Sequence, residues 1–316
     1  MKKRIRKLGI PLAILVVMLA CQNPLTSSTQ NTGLIQTQTS LAETLAAINN
    51  PAPTNTIAPP PTEMIQSTDT PETGSGLSSE EMATKIASAK VLIYEDVAGY
   101  ASYIPIVSKA VASLTSNYTY VGDAVGTFQT KMETGTKWDL IVVSSEFKNK
   151  IQGNFWTTIL QNVDNDYTAL IVENIFLDKI APYEIKPLMQ ECGIQFQNIW
   201  NRGAGFKSID YAMYWVVNGS PVFNTPNMVE RFRYSMTNAR LGTAGDFVKL
   251  TSNSNATILA SLKEGDSTDM GLVTSCVKGT VLFQTFRTHD YDGDEMLALW
   301  QNYITFVLTN HFQIAK

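Results

Sequence analysis

The amino-acid sequence predicts an α/β fold, a doubly wound, mostly parallel sheet with helices on both faces that follows a disordered N-terminal tether. Two observations predict the sheet. The runs within Lys90–Tyr94 and Trp138–Val143 lack polar alternation, as expected for strands that are buried on both faces. Helical segments separate such runs, which is the pattern of parallel strands joined by crossover helices. A third observation predicts the tether, because residues 22–79 are rich in Thr, Ser and Pro and contain no aromatic residue.

Predicted strands and helices alternate as far as Trp200. The strands are Lys90–Tyr94, Tyr118–Val121, Trp138–Val143, Tyr167–Val172 and Ile194–Ile199. The helices are a short one that begins at Ser78, then Tyr103–Leu114, Val125–Glu133, Phe147–Asn162 and Pro182–Cys192. Beyond Trp200 the predicted strands are Met213–Val217, Phe247–Thr251, Ala256–Leu262, Met270–Val277 and Gly279–Thr285. The final predicted helix, Asp294–Phe312, carries an apolar stripe at helical spacing that packs on the core.

Residues 1–20 have the layout of a secretory signal. Basic residues within Met1–Lys7 precede the apolar run Leu8–Ala20, which is short for a membrane span because about 20 residues are needed. Residues Met18-Leu-Ala-Cys21 resemble the bacterial lipobox, whose cysteine is lipidated. The resemblance implies that lipid on Cys21 anchors the protein to the extracytoplasmic face of the cell membrane. The alternatives are an ordinary cleaved signal and an uncleaved anchor.

The charge balance argues against nucleic-acid binding. Loss of residues 1–20 removes five of the 24 Lys and Arg residues and none of the 28 Asp and Glu residues, so the mature chain has a formal net charge of −9. Proteins that bind nucleic acids neutralise phosphates with basic patches. We therefore expect no nucleic-acid partner.

The chain divides into a signal peptide (1–20), a disordered Thr/Ser/Pro-rich tether (21–79) and a folded α/β domain (80–316). Cys192 and Cys276 are the cysteines of the folded domain, and a secreted chain enters a compartment in which disulfides persist. We expect both to be buried thiols, Cys192 near a helix end and Cys276 within a strand. Their spacing leaves open whether they pair.

The C-terminal part of the chain carries the most recognisable family resemblance. The segment Gly279-Thr-Val-Leu-Phe-Gln-Thr-Phe-Arg-Thr-His289 runs into a helix that contains Trp300-Gln-Asn302. With the order of elements over roughly Ala89–Phe312, it resembles the class I glutamine-amidotransferase-like superfamily, including its trehalose-utilisation-type branch. In that family the last core strand delivers a histidine, and a helix with a Trp/Phe-x-Asn pattern closes the domain. The resemblance implies a flavodoxin-like fold.

The chain departs from this family at the catalytic nucleophile. The family places a nucleophilic cysteine on a tight, glycine-flanked elbow after a central strand. Here that place holds Val172-Glu-Asn-Ile-Phe176, which contains no Cys, Ser or Gly. Without an elbow nucleophile, a Cys-His-acid mechanism has no first step. We therefore expect an amidotransferase-like domain without glutaminase activity.

Candidate ligand-binding residues follow the predicted parallel strands. In open α/β sheets, ligands bind beyond the carboxyl ends of the strands, at the switch point. These ends offer a set of polar side chains: Glu95, Asp96, Ser144, Ser145, Glu146, Glu173, Asn174 and His289. The catalytic candidates are His289, Glu173 and Glu95, which can act as acid and base if burial separates their pKa values. The alternative is that each is a solvated loop residue or a helix cap, such as Ser145 for a helix that starts at Phe147.

The acidic run before the final helix is the candidate metal site. Asp290, Asp292 and Asp294 alternate around Gly293, and oxygen ligands in such an arrangement suit Ca²⁺ or another divalent cation. The order differs from that of an EF-hand loop. Asp294 as the N-cap of the last helix explains part of the pattern without a metal. We expect no other cofactor.

Three functions are compatible with these observations. The first is a membrane-anchored extracytoplasmic lipoprotein whose non-catalytic amidotransferase-like domain binds a small ligand or a protein partner. The second is a hydrolase that acts on a carbohydrate or other envelope substrate through His289 and a carboxylate. The third is a structural or assembly subunit of a surface complex. The hydrolase requires His289 and a carboxylate bonded in a pocket, binding requires a pocket, and assembly requires an exposed apolar patch.

Overall fold

The computed structural model describes residues 77–100, 102–149, 151–202, 212–230 and 242–315. These residues belong to one compact unit that spans residues 72–316. The predictions made for the signal peptide, for the lipidated Cys21 and for the tether up to residue 76 lie outside the described residues. Within the described ranges, no helix is both long and apolar enough to cross a membrane.

The strands of the described residues join in one sheet. In chain order they are β1 (Val91–Glu95), β2 (Tyr118–Tyr120), β3 (Leu140–Ser145), β4 (Ala169–Asn174), β5 (Ile194–Arg202), β6 (Tyr214–Trp215), β7 (Gly242–Leu250), β8 (Thr257–Ser261), β9 (Gly271–Cys276) and β10 (Val281–Gln284). Their order across the sheet is β2-β1-β3-β4-β10-β9-β7-β5, and β8 pairs with β9 and β6. We call the side of the sheet where the carboxyl ends of β1, β3, β4 and β10 lie the carboxyl edge. The opposite side, where their amino ends lie, is the amino edge.

Helices connect most of these strands. They are α1 (Ser79–Ser88), α2 (Ile106–Leu114), α3 (Val125–Glu133), α4 (Phe155–Asp166), α5 (Leu177–Ile180), α6 (Lys186–Glu191), α7 (Pro221–Asn224) and α8 (Gly293–Ile314). Short 3-10 turns follow β1 and β9 and precede α8. The bounds predicted for α3 match the structure.

The central sheet is mostly parallel. β2, β1, β3, β4 and β10 pair in parallel, in that order. β9, β7 and β5 extend the sheet in antiparallel pairs. The predicted flavodoxin-like α/β fold class is confirmed. The expectation that Ile194–Ile199 continues the parallel series is wrong. The neighbour of β4 is β10, whereas β5 is the outermost strand and pairs with β7.

Helices cover both faces of the sheet. In β1, Val91 and Ile93 belong to a core cluster with α2 and α8, whereas Leu92 and Tyr94 belong to a second cluster with α3 and α4. All four side chains are fully buried. Burial on two faces explains why the strands lack polar alternation.

The helices predicted from Tyr103 and Pro182 begin at Ile106 and Lys186, and two further helix starts differ for a visible reason. The helix predicted from Phe147 begins at Phe155. The amides of Phe147 and Lys148 donate to the carboxylate of Asp96, the residue after β1, instead of starting a helix. The last helix is capped by Asp292 rather than by Asp294, since the Asp292 carboxylate accepts bonds from the amides of Asp294 and Glu295.

Cys192 and Cys276 form a disulfide, with their Cα atoms 5.2 Å apart. Both side chains are buried, but the expectation of two free thiols is wrong. The bond joins the residue after α6 to the last residue of β9. These positions become neighbours only through the antiparallel extension of the sheet, which the spacing of the cysteines does not reveal.

Candidate functional site

The structure brings the predicted polar residues together at the carboxyl edge of the sheet. Strand register places Ser144 beside both Glu95 and Glu173, and Ser145 beside Asn174. All the candidate ligand residues are buried, and His289, the most exposed of them, has an exposed fraction of 5%. The edge is therefore occupied by side chains that are closed to solvent.

Glu173 is the centre of a hydrogen-bond network. Its Oε2 accepts a bond of 2.6 Å from the Ser144 hydroxyl. Its Oε1 accepts bonds from the Thr288 amide at 2.9 Å and from the Gln284 side chain at 3.0 Å. The hydroxyl of Thr288 in turn accepts bonds from Gln284 Nε2 and from Trp300 Nε1, each 2.9 Å long. Both oxygens of the carboxyl group are thus bonded within the protein.

His289 is held by a different carboxylate from the predicted ones. Its Nδ1 lies 2.6 Å from Glu146 Oε1, and its backbone amide donates to Glu146 Oε2 at 3.1 Å. Its Nε2 lies 2.8 Å from the carbonyl oxygen of Ile104. The carbonyl oxygen of Ile104 only accepts hydrogen bonds, so Nε2 is a donor. An ionised carboxylate also only accepts, so against a Glu146 carboxylate Nδ1 is a donor too and the ring is an imidazolium. The pairing of His289 with Glu173 or Glu95 in a catalytic dyad is therefore wrong in this structure.

Two further carboxylates bind backbone amides, as helix caps do. Glu95 accepts bonds from the amides of Val107 and Ser108 at the start of α2. Asp96 accepts bonds from the amides of Glu146, Phe147 and Lys148, and from the Ser145 hydroxyl. Ser145 therefore caps no helix at Phe147. Each of these positions resembles an anion-binding site that is already filled by a carboxylate of the protein.

Side-chain oxygens also accept hydrogen bonds from the backbone amides of the turn after β4. Asn174 Oδ1 accepts a bond from the Phe176 amide, and Asp246 Oδ2 accepts one from the Asp178 amide at 3.0 Å. Among the described residues, Asn174 Nδ2 and Asp246 Oδ1 are buried without a hydrogen-bond partner. Asp246 lies on β7, a strand from the antiparallel extension of the sheet.

The burial of so many acids changes their protonation. Burial raises the pKa of Glu95 to about 7 and that of Asp246 to about 7. Burial, reinforced by the charge of Glu146, raises the pKa of Glu173 well above its usual range. Burial opposes a charge on His289, but Glu146 and the Ile104 carbonyl outweigh it and raise the pKa of His289 to about 9. Burial thus favours the neutral form of Glu173, whereas the oxygens around His289 favour the charged form of its ring.

Sequence reasoning missed several members of this edge. Gln284, Thr288 and Asp246 were not candidates, and Trp300 was assigned to core packing alone. Gln284 lies in an apolar strand run, and its partner Glu173 is 111 residues away in the chain. The feature of the sequence that could have identified Gln284 is its polar side chain directly after the apolar run Val281–Phe283.

The three aspartates of the predicted cation site lie in different surroundings. Asp290 is fully buried beside Arg287, whereas Asp292 caps α8. In the described part of the chain, no group of three or more His, Cys, Asp or Glu side chains is arranged to hold a metal ion. The alternation in sequence is broken in space by the 3-10 turn Thr288–Asp290 that precedes the helix. Asp292 and Asp294 instead border an open cavity of about 840 Å³ beside Met228 and Glu230.

A groove of about 480 Å³ lies at the opposite, amino edge of the sheet. We call it the amino-edge groove. Its lining includes Asn218, Asn255, Thr257, Ser275, Lys278 and Phe306. The disulfide residue Cys276 forms part of its wall.

Comparisons with known proteins give a likeness of fold. No protein-family model and no curated protein matches the sequence. Similar solved structures include PurLQS from Thermotoga maritima, with 10% identity over 70% of this chain and 98% of that chain and a TM-score of 0.41. The glutaminase domain of Trypanosoma brucei CTPS with bound acivicin is 11% identical over 70% of this chain and 94% of that chain, with a TM-score of 0.39. At such low identities and TM-scores the likeness carries no information about activity.

Proposed function

We propose that this chain is a lipid-anchored protein on the extracytoplasmic face of the cell membrane, and that its amidotransferase-like domain binds a ligand or partner without catalysis. The observation that carries the proposal is that the domain's own side chains close the carboxyl edge. A general base needs a free lone pair within reach of the substrate. Both nitrogens of His289 are occupied by Glu146 and Ile104, and Glu173 is fully buried.

The absence of a nucleophile supports the same proposal. Cys192 and Cys276 are bonded to each other, so neither is available as a thiolate. The segment Val172–Phe176 takes the place of the family's elbow, and within it the Asn174 oxygen binds the Phe176 amide. The nearby Asp178 amide binds the Asp246 carboxylate, so this amide is not available to stabilise a developing oxyanion.

The proposed location rests on the N-terminal sequence and on the disulfide. Met18–Cys21 resembles a lipobox, and several acyl chains on one cysteine hold a protein stably where one chain binds only marginally. Disulfides persist in oxidising compartments, which supports an extracytoplasmic domain. The formal net charge of −9 after signal removal supports a partner other than nucleic acid.

A turnover assay tests the absence of catalysis. Full-length protein is incubated with glutamine, with chromogenic glycosides and with chromogenic esters, and release of ammonia or chromophore is followed. We expect rates equal to buffer for the wild type and for His289→Gln. If the wild type turns over a substrate and either His289→Gln or Glu146→Gln abolishes that turnover, the proposal is contradicted and the hydrolase becomes the better function.

A labelling experiment tests the anchor. Cells that express the protein are fed an alkyne-bearing fatty acid, and the membrane fraction is examined for labelled protein. We expect a labelled, membrane-bound wild type and an unlabelled Cys21→Ser variant, with Cys276→Ser labelled as the control. Equal labelling of the wild type and the Cys21→Ser variant would show that Cys21 is not the lipidated residue and would contradict the proposed anchor.

The structure also offers one observation for an assembly subunit. Tyr100 and Ile104 have exposed fractions of 42% and 57%, and the Tyr100 ring stacks near Phe147 with centroids 4.4 Å apart. Exposed apolar side chains that lie together suit a protein partner. A photo-crosslinker at position 104 tests this function in living cells. A specific crosslinked band that Tyr100→Ser removes would support it, and its absence would leave ligand binding as the proposal.

A further inference from the structure

We infer that the amino-edge groove binds an uncharged, hydroxyl-rich ligand of the carbohydrate class. The inference deepens the proposed binding function and rests on it. The groove volume of about 480 Å³ lies within the range of roughly 300–1,000 Å³ that is usual for small-molecule sites. Its position at the turn between β9 and β10, beside the amino end of β10, separates it from the closed carboxyl edge.

The groove presents neutral hydrogen-bonding groups. Among the lining residues, Asn218, Asn255 and Thr257 are exposed, and Ser275 lies with them in the lining. Amides and hydroxyls both donate and accept, as sugar hydroxyls do. A bound sugar would replace the water that these groups otherwise hold.

The charge of the groove argues against a cationic ligand. Lys278 is the one charged residue among its described lining residues, and its ammonium group lies 5.4 Å from the centre of the Tyr167 ring. The lining contains no carboxylate that would attract a cation. Phe306 is partly exposed there and offers apolar surface for the carbon-bound hydrogens of a sugar ring.

One wall of the groove is held in an unusual backbone conformation. Val277, Lys278 and Gly279 follow one another with φ values of 47°, 56° and 86°. For a β-branched residue such as valine this region is sterically unfavourable, and residues held in such conformations cluster at ligand-binding positions. The disulfide at Cys276 precedes the turn, and Asn310 donates to the Gly279 carbonyl. The turn is thus fixed from both ends before any ligand arrives.

Calorimetry on the full-length protein tests the inference. The protein is purified in a zwitterionic detergent without a sugar headgroup and titrated with four neutral trisaccharides: triacetylchitotriose, maltotriose, cellotriose and mannotriose. Trigalacturonic acid serves as the anionic probe. The double variant Asn255→Ala/Thr257→Val removes groove hydrogen bonds at exposed positions. The matched control Asn165→Ala/Thr119→Val makes the same changes on α4 and β2, away from the groove.

We expect at least one neutral trisaccharide to bind, with an affinity that falls at least tenfold in the groove variant and stays unchanged in the control variant. Binding of the anionic probe alone, equal affinity in wild type and groove variant, or no binding of any neutral trisaccharide would each overturn the inference. These failures leave the proposed non-catalytic function intact. That function fails only in the turnover assay described above.

Discussion

At the carboxyl edge of the sheet, Glu173, Glu146 and His289 are bonded inside the protein, whereas Asn255 and Thr257 line an open groove at the amino edge. The carboxyl edge carries buried acids with raised pKa values, whereas the groove at the amino edge is lined, among the described residues, by one lysine and otherwise by neutral residues. In an open α/β fold the ligand site is expected at the first edge. The contrast teaches that a fold offers a position for a site, whereas the side chains decide whether that position is open.

The largest expected effect lies at the amino edge. Replacing both cysteines, Cys192→Ser/Cys276→Ser, opens a covalent loop of 84 residues in the unfolded chain. In the chain-entropy model we expect a loss of about 4–5 kcal/mol in the free energy of unfolding. Urea denaturation of the full-length protein measures it, with Cys21→Ser as a control that keeps the disulfide. An unchanged urea midpoint would show that the bond contributes nothing to the stability of this edge.

The two histidines allow a direct comparison of the edges. His289→Ala leaves the buried Glu146 carboxylate without its partner, and we expect a loss of about 3–5 kcal/mol. His311→Ala is the matched control at the amino edge, where the partner Asp139 has a side chain that is 35% exposed. We expect a loss of only about 1 kcal/mol there, because solvent can hydrate the remaining carboxylate. Equal losses would contradict the claim that the carboxyl edge is the closed one.

Stability should fall as pH rises. Glu95 and Asp246 have folded-state pKa values of about 7, above their unfolded values of 4.5 and 3.8, so the folded protein holds extra protons between about pH 4 and 7. His289, with a folded-state pKa of about 9, extends the trend from about pH 6.5 to 9. We expect the free energy of unfolding to be lower at pH 8 than at pH 5, because the folded protein loses most of these extra protons over this interval, and urea denaturation at the two pH values measures the difference. A stability that rises between these pH values would contradict the assigned protonation states.

A nearly isosteric change tests the charge of Glu173. If this buried group is neutral at pH 7, Glu173→Gln keeps the bonds to Thr288 and Ser144 and costs less than about 1 kcal/mol. Glu173→Ala removes those bonds and leaves a cavity, so we expect a loss of about 2–4 kcal/mol. Thermal unfolding of both variants at pH 7 makes the comparison. Equal destabilisation by the two changes would indicate an ionised Glu173.

The sequence was sufficient for the fold class and for the residues at the strand ends. Continuous apolar runs such as Val91–Tyr94 determine a strand buried on two faces, and the alternation of elements determines the parallel core. The pairing of Glu146 with His289 and the role of Asp246 were not predictable. These contacts join residues 143 and 68 positions apart, which no local pattern encodes. The start of α4 was misplaced for the same reason, since the Asp96 carboxylate binds the amides after β3.

The protonation of His289 tests the central claim most directly. Long-range ¹H–¹⁵N correlation spectra across pH 5–10 report both ring nitrogens, and His311→Gln identifies the signals because the chain has two histidines. A closed carboxyl edge predicts a doubly protonated ring at pH 7 that titrates near pH 9. A neutral imidazole at pH 7, with a pKa near 6.5, would show a free nitrogen at this edge and would contradict the account.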